Sequence, residues 1–566
     1  MGIRIKVYDA NEQLTPCRIV IRKSGNGPVE DNGNAGEIIY CSGEHDFEAV
    51  NGEYMIEVFK GKLYAPVRHT AAVHTGNVEF RVQLKPLVDT RKLGLYSFDA
   101  HSHVSRNENL VTGNLGWAST VMMAEDFNFF YAGSPYDHET HLEYLNKEYK
   151  SDAPYREQFA SDIRQINQIN QEGFIIDIGN EFVKCRYGHI CLFNFVQKPP
   201  FSKYYDEAWD PWNDSNRQGD EPRYEISYPY EAVLAEKQEH SFAFSAHPTS
   251  WWWGMHDVFI TNIASTLAFD LLTGAVDGMV IMGYGSDKKA YQDLWFEALR
   301  NGYFIPGVAE TDVSFDAVPK QRFLQYKTYA FLEEFSMQAL GAAMKNGRNI
   351  VSSGPILVMR VNGQLPGAVF SYESGEAFEI AIEAYSCYEA SLSTVQLIVN
   401  GDIAAEYAVS DMQYDCTHRI EVKEDSFVIA KCYDFAGNVA ITSPVYIRNQ
   451  PFVNKGYLSD VNVHVRKAGK PAVGVYWLDD EPGRNAFEGK VLVQMNPVSS
   501  LHISVDGEVR TVKLFELDEL QRIFKHLYLG DFNRDKRYQS GEVPADAFKI
   551  ARVKEILNHV ELNVEF

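Results

Sequence analysis

The chain has 566 residues, 45% of them hydrophobic and 23% charged, with a formal charge of −24. Such a length exceeds one ordinary core and implies about three or four domains of a globular protein. The negative charge excludes nucleic acid and anionic membrane as general partners, because both are held through Lys and Arg, and it leaves room for a small anionic substrate held by metal ions.

No run of about 18 apolar residues occurs, so no membrane-spanning helix is predicted. The opening "MGIRIKVYDA" has no apolar signal segment. The protein is then cytoplasmic, or secreted or periplasmic if a signal preceded this start, and the compartment stays open. Seven cysteines, Cys17, Cys41, Cys185, Cys191, Cys387, Cys416 and Cys432, are sparse and lack C-x-x-C spacing. They read as buried thiols rather than a disulfide framework or a thiolate zinc site.

Four regions follow in chain order. Residues 1–92 alternate apolar and polar in short runs ("IRIKVYD", "CRIVIRK", "EYMIEVFKG", "VEFRVQLKPL") separated by Gly and Asn turns, which predicts an N-terminal β-sandwich module. Residues 93–348 change texture. Short apolar runs ("GFIIDIGNE", "SFAFSAHP", "DGMVIMGYG", "YFIPGVAETD") alternate with helical segments ("YREQFASDIRQINQIN", "DKKAYQDLWFEALRNG"), and this predicts a parallel sheet or barrel. Residues 349–450 return to β texture ("PILVMRVNG", "FEIAIEAYS", "TVQLIVNGD"), as in an Ig-like sandwich. Residues 451–566 begin β-like and end with two helical patterns around "DFNRDKRYQSGE".

The chemistry concentrates in the second region. In "SFDAHSHVS", Asp99, His101 and His103 occupy alternate positions, so an extended strand points all three to one face. Glu181 closes "IIDIGNE", His189 lies in "YGHICLF", His247 ends "FAFSAHP" and Asp312 ends "IPGVAETD". Imidazole and carboxylate suit zinc, manganese or iron, and a carboxylate can bridge two such ions. Each residue alone is ordinary strand-end polarity; together they predict a metal site. Barrel folds keep such residues at the C-terminal ends of their strands.

The order D-x-H-x-H, G-x-E, G-H, H-P and T-D resembles the PHP (polymerase and histidinol phosphatase) superfamily of metal-dependent hydrolases. The stretches "GHICLF" and "MKNGRNIVSSGPILVMRVNGQLPGAVF" narrow the resemblance to the CehA/McbA-type branch, over roughly residues 40–450. The resemblance implies a distorted (β/α)7 PHP barrel flanked by β-sandwich modules. It also implies two or three divalent transition-metal ions, of which two are expected here. His101, His103, Glu181 and Asp312 would hold one; Glu181, His189 and His247 would hold the other, with Glu181 as the bridge. A third ion lacks its histidines, since Ser314 stands where His is usual.

The implied reaction is attack by a metal-activated water on a phosphoester, or on a carboxyl or carbamate ester. A different class is a glycan- or surface-binding protein with a vestigial barrel. No G-x-S-x-G elbow is present, and "SSGP" at Ser352–Pro355 reads as a turn. Asp99 is expected to orient a ligand histidine or the water, with a strand-end cap as the alternative. His138 in "SPYDHE" is a candidate substrate contact or weak ligand, and Arg186, beside Lys184, a candidate clamp for an anionic oxygen. Residues 198–225 and the tryptophans of "HPTSWWWGMHD" suggest a lid and a wall for a sugar-containing substrate, or simple packing against the β modules. His256 is close enough in sequence to reach the pocket.

In the last region, Asp531, Asn533, Asp535 and Glu542 take positions one, three, five and twelve of an EF-hand-like loop, with the Arg537 carbonyl at seven. Lys536 stands at the sixth position in place of Gly, at a cost of about 1 kcal/mol. Structural calcium is the expectation, and a polar helix-to-helix turn the alternative.

Overall fold

The computed structural model describes residues 2–23, 37–74, 76–103, 115–133, 166, 168–184, 188–195, 233–234, 237–248, 267–283, 288–315, 323–455, 458–479, 483–497, 499–514, 517 and 550–566. Of the described residues 53% lie in strands and 14% in helices, and the α-helices number five. The protein is multidomain and β-sandwich in character.

The N-terminal alternation folds as expected. Gly2–Tyr8 buries Ile3, Ile5 and Val7 on one face and pairs with Glu44–Glu48 and Val78–Gln83. A second sheet runs in the order Glu37–Cys41, Cys17–Lys23, Gly52–Phe59, Val67–Val73. Ile19, Ile21, Ile56 and Val58 meet the first sheet in a single core. Each such side chain contributes about 1.5–3 kcal/mol on burial.

Among the described residues the expected distorted (β/α)7 barrel is not evident. Such a barrel needs parallel strands, each followed by a helix. Here Leu95–Asp99, Phe129–Gly133 and Ile175–Lys184 run parallel, but Ile175–Lys184, Gly188–Phe193 and Phe242–Ala246 form an antiparallel meander. Parallel pairing resumes through Gly278–Met282 and Gly307–Ala309. Lys327–Phe331 is then antiparallel to both Leu95–Asp99 and Asn349–Ser352. The same sheet continues through Asn349–Ser352 into Val439–Thr442 of the next region. The reason is physical: a short buried apolar run is equally compatible with parallel and antiparallel neighbours, so its sequence leaves strand direction open.

Residues 356–447 form the second sandwich. Ile356–Val361, Glu376–Tyr385 and Gln413–Val422 make one sheet, and Leu392–Val399, Asp402–Ala408 and Ser426–Asp434 lie in the other. Leu357, Met359, Ile380 and Ile382 pack against Val395, Leu397, Val428 and Ala430 between them. Ser352 ends the strand Asn349–Ser352, and its side chain holds the bend that leads into Ile356–Val361: the hydroxyl donates to the Pro355 carbonyl at 2.5 Å and accepts from Gly354 N at 2.8 Å.

At the C-terminus, Ser459–Lys467 pairs antiparallel with Lys490–Met495 and parallel with the final strand His559–Glu565. A second sheet has the order Asn485–Glu488, Val473–Leu478, Ser500–Val505, Glu508–Lys513. The helix Ile550–Asn558 lies within the second helical pattern, but the chain leaves it as a strand, "HVELNVE". The calcium-loop residues Asp531, Asn533, Asp535, Arg537 and Glu542 lie outside the described residues.

The helix Leu115–Ala124 is held at its C-terminal end by two buried lysines. Lys327 Nζ donates to the Glu125 carbonyl, and to that of Asp126 at 3.2 Å; Lys60 Nζ donates to the Met123 carbonyl at 2.9 Å. Cations there complement the helix dipole and satisfy carbonyls left without a helical donor. Burial pushes the Lys327 ammonium down to about 8. Lys327→Met leaves the Glu125 carbonyl without this donor, while the Asp126 carbonyl keeps the Ser97 hydroxyl, and should lower stability by about 1–3 kcal/mol at neutral pH. The unfolded chain keeps this proton to about pH 10, so between about 8 and 10 it binds more protons than the folded chain. Wild type should therefore gain stability relative to the variant as pH rises through that window. Thermal melts of both proteins across it check the sign; a pH-independent difference contradicts the assignment.

Candidate metal centre

Two chain segments build the centre. The first leaves Leu95–Asp99, turns through Ala100 and enters the short strand Ser102–His103; the second leaves Gly307–Ala309 through Glu310, Thr311 and Asp312 into Val313–Ser314. The two run parallel, with Val313 opposite Ser102, and Asp312 N donates to the His101 carbonyl at 2.9 Å.

Asp99 locks the segments together. Its carboxylate accepts from His101 N at 3.1 Å, from Thr311 N at 3.4 Å and from the Thr311 hydroxyl. Burial pushes this carboxyl up to about 7, against the pull of the Thr311 and His101 bonds. Asp99 bonds to backbone and hydroxyl, so it orients the backbone carrying the imidazole. This is closer to the strand-end cap than to a direct partner of the ring.

The side chains then converge. His103 Nε2 lies 2.7 Å from Asp312 Oδ1, and His101 Nε2 lies 3.4 Å from the same oxygen. His101 Nδ1 is 2.6 Å from Glu310 Oε2, whose other oxygen accepts from His247 N at 3.0 Å. The rings of His101 and His103 are 5.3 Å apart, those of His101 and His247 5.4 Å, and those of His189 and His247 4.8 Å. His101, His103, His247, Glu310 and Asp312 are buried. His247 and Asp312 adopt positive φ, at 21° and 48°. Left-handed backbone at non-glycine residues is a strain that surrounding structure must hold, and such strain gathers at functional sites.

Among the described residues, two groups have ligand atoms within 4.8 Å of one another: His101, His103 and Asp312, and His101, Cys191 and Glu310. The first is a donor set of two imidazoles and a carboxylate, which suits a divalent transition ion. Glu310 completes it, since a carboxylate on the far nitrogen fixes the tautomer and aims the other nitrogen at a metal.

Of the sequence candidates, His101, His103, His189, His247 and Asp312 come together. His189 gets there by antiparallel register, opposite Ala246 and next to His247. Glu181 lies in Ile175–Lys184 with its backbone opposite Cys191, and its side chain is outside the described part. His138, Arg186, His256, Trp251, Trp252 and Trp253 lie outside the described residues, as does the 198–225 insertion. Glu310, Thr311 and Cys191 were not singled out from sequence. The signal for Glu310 was present: "ETD" sets two carboxylates at alternate positions just as "HSH" sets two imidazoles.

No protein-family model and no curated protein matches this chain. Among solved structures, it is similar to BcpA, the major pilin subunit of Bacillus cereus, at 10% identity and TM-score 0.14 over 38% of this chain and 71% of that one. It is also similar to fibronectin(III)-like modules of Clostridium thermocellum CbhA, at 12% identity and TM-score 0.13 over 27% of this chain and 91% of that one. A Bacteroides uniformis β-glucuronidase aligns at 11% identity and TM-score 0.18, over 90% of this chain and 75% of that one. At these TM-scores the likeness carries neither fold nor activity across.

Proposed function

We propose that this protein is a metal-dependent hydrolase acting on a phosphoester at the centre formed by His101, His103 and Asp312. The observation that carries the reading is the burial of two imidazoles and a carboxylate with their ligand atoms converged, one imidazole being backed by Glu310. The order of donors along the chain supports it through the superfamily it resembles, although that superfamily's barrel is not evident among the described residues.

An ion bound there supplies Lewis acidity, lowering the pKa of water and neutralising charge that develops on an ester oxygen. The protein's own part is positional. Glu310 accepts the Nδ1 proton of His101 and so presents Nε2 as the donor, a tautomer assigned from the partner. Asp99 and Thr311 fix the spacing between the two ligand-bearing segments. His189 and His247, with rings 4.8 Å apart and that of His247 5.4 Å from His101, are the proposed donors for a second ion.

Four chromogenic substrates test the reading: a phosphomonoester, a phosphodiester, a carboxyl ester and an aryl carbamate, each offered to manganese- and zinc-loaded protein. Phosphoester turnover that disappears in the His101→Ala, His103→Ala variant is the expected result. Turnover of the carboxyl ester or carbamate alone would replace the substrate class. Activity retained in the double variant would remove the site from the reaction.

A further inference from the structure

The N-terminal module carries a pair of cysteines that the chemistry above does not use. Cys17 and Cys41 stand directly opposite each other on the antiparallel strands Cys17–Lys23 and Glu37–Cys41. Their sulfurs are 3.6 Å apart. We infer that Cys17 and Cys41 are a modification site, closing into a cross-strand disulfide when a low-molecular-weight disulfide is the oxidant.

The backbone already meets the geometric demand. Opposed residues of an antiparallel pair have Cα atoms about 4.5–5.5 Å apart, inside the window of about 4.4–6.8 Å that a disulfide spans. The sulfurs are already in contact, so closure needs a side-chain rotation and no change of register. Of the other described cysteines, Cys191 lies with His101 and Glu310, and Cys387 donates to Asp434 at 3.4 Å.

Access and reactivity give the order of events. Cys17 is 0% exposed and Cys41 is 9% exposed, so a small oxidant meets Cys41 first. The hydrogen bond between the two sulfurs holds the Cys41 thiol below its ordinary range, with help from the backbone at Gly43. Gly43, at φ 112°, sits where a Cβ would lie 2.8 Å from Thr15 N, so glycine is required to keep that turn. The Cys41 thiolate attacks one sulfur of the oxidant, the oxidant's S–S bond breaks, and one small thiolate leaves with the electron pair. Cys17 then gives up its proton and attacks the Cys41 sulfur, expelling the second small thiolate. Two protein thiols are oxidised, one small disulfide is reduced to two thiols, and the two cysteine protons end on them.

The bridge would fix the face on which the Leu115–Ala124 helix rests. Arg18 Nε lies 3.1 Å from Glu125 Oε1, and the Tyr40 hydroxyl donates to the same oxygen at 3.2 Å, one residue from each cysteine and just past that helix. It would also close the 17–41 loop in the unfolded chain, which is where a disulfide gains most of its stabilising effect in the chain-entropy account.

The test uses the full chain, reduced, then incubated with glutathione disulfide, alkylated, denatured and mapped by mass spectrometry. The reduced chain has seven thiols. The expected outcome is a loss of two of them, a linked pair of peptides containing Cys17 and Cys41, and a rise in melting temperature on the order of 5 °C that dithiothreitol reverses. Cys41→Ser should show no such link and no such rise. A linkage between other cysteines, or glutathione retained on Cys41, would overturn the inference. So would an unchanged thiol count. The wild-type peptide map decides the matter even if the serine variant fails to fold.

Discussion

Alanine at both His101 and His103 should abolish the proposed tight binding of a divalent transition ion, leaving Asp312 as the sole donor of its group. Removing an outer partner of a metal ligand typically costs about 10–100-fold in affinity, so removing two ligands should exceed 100-fold. The measurement is equilibrium dialysis with zinc and with manganese, paired with thermal melts. In wild type, an ion at about 100 times its dissociation constant stabilises the folded chain by about 2.7 kcal/mol. In the double variant the melting temperature should not respond to metal. The melt without metal separates this from misfolding: the variant must still unfold cooperatively, though at a lower temperature, since the buried Glu310 and Asp312 lose their imidazole partners. Undiminished binding would take the two histidines out of the site.

Asp99→Ala should weaken the centre without removing a ligand. The Asp99 carboxylate is fully buried and accepts two backbone N–H bonds and the Thr311 hydroxyl. Its loss strands donors from both ligand-bearing segments. The Thr311 hydroxyl keeps the His101 carbonyl as an acceptor at 3.3 Å, so two N–H groups are stranded; each costs about 1–3 kcal/mol, and because they are neighbours the sum is not additive, so a total near 3 kcal/mol is expected. Metal affinity should fall about 10–100-fold, since the spacing of His101 and Asp312 depends on this clasp. Asp99→Asn keeps an acceptor oxygen and should recover part of both losses. Unchanged affinity in the alanine variant, with reduced stability, would make Asp99 a fold residue alone.

How much of this could be read in advance depends on the range of the interaction involved. Alternation in "IRIKVY" and "CRIVIRK" is local, and both runs fold as the strands it indicates. The H-x-H pattern is local too, and it puts His101 and His103 on one centre. Strand direction is not local. The run "GHICLF" reads the same whether its neighbour is parallel or antiparallel, yet the antiparallel meander is what carries His189 beside His247 and breaks the expected barrel. Cys191 joins His101 and Glu310 for the same reason, through a register that periodicity cannot supply. At the C-terminus, Ile556, Leu557 and Val560 keep helical spacing across the true boundary, so the strand beginning at His559 was absorbed into the helix pattern. Parallel pairing with Ser459–Lys467, about a hundred residues away, overrides it.

The most direct measurement is X-ray absorption spectroscopy of zinc-loaded protein, read beside the Asp312→Ala variant. The account predicts a first shell of nitrogen and oxygen at about 2.0–2.2 Å with an imidazole signature, and loss of that shell in the variant. A sulfur shell at about 2.3 Å would place the ion on a thiolate and contradict it, as would a wild-type spectrum unchanged by Asp312→Ala.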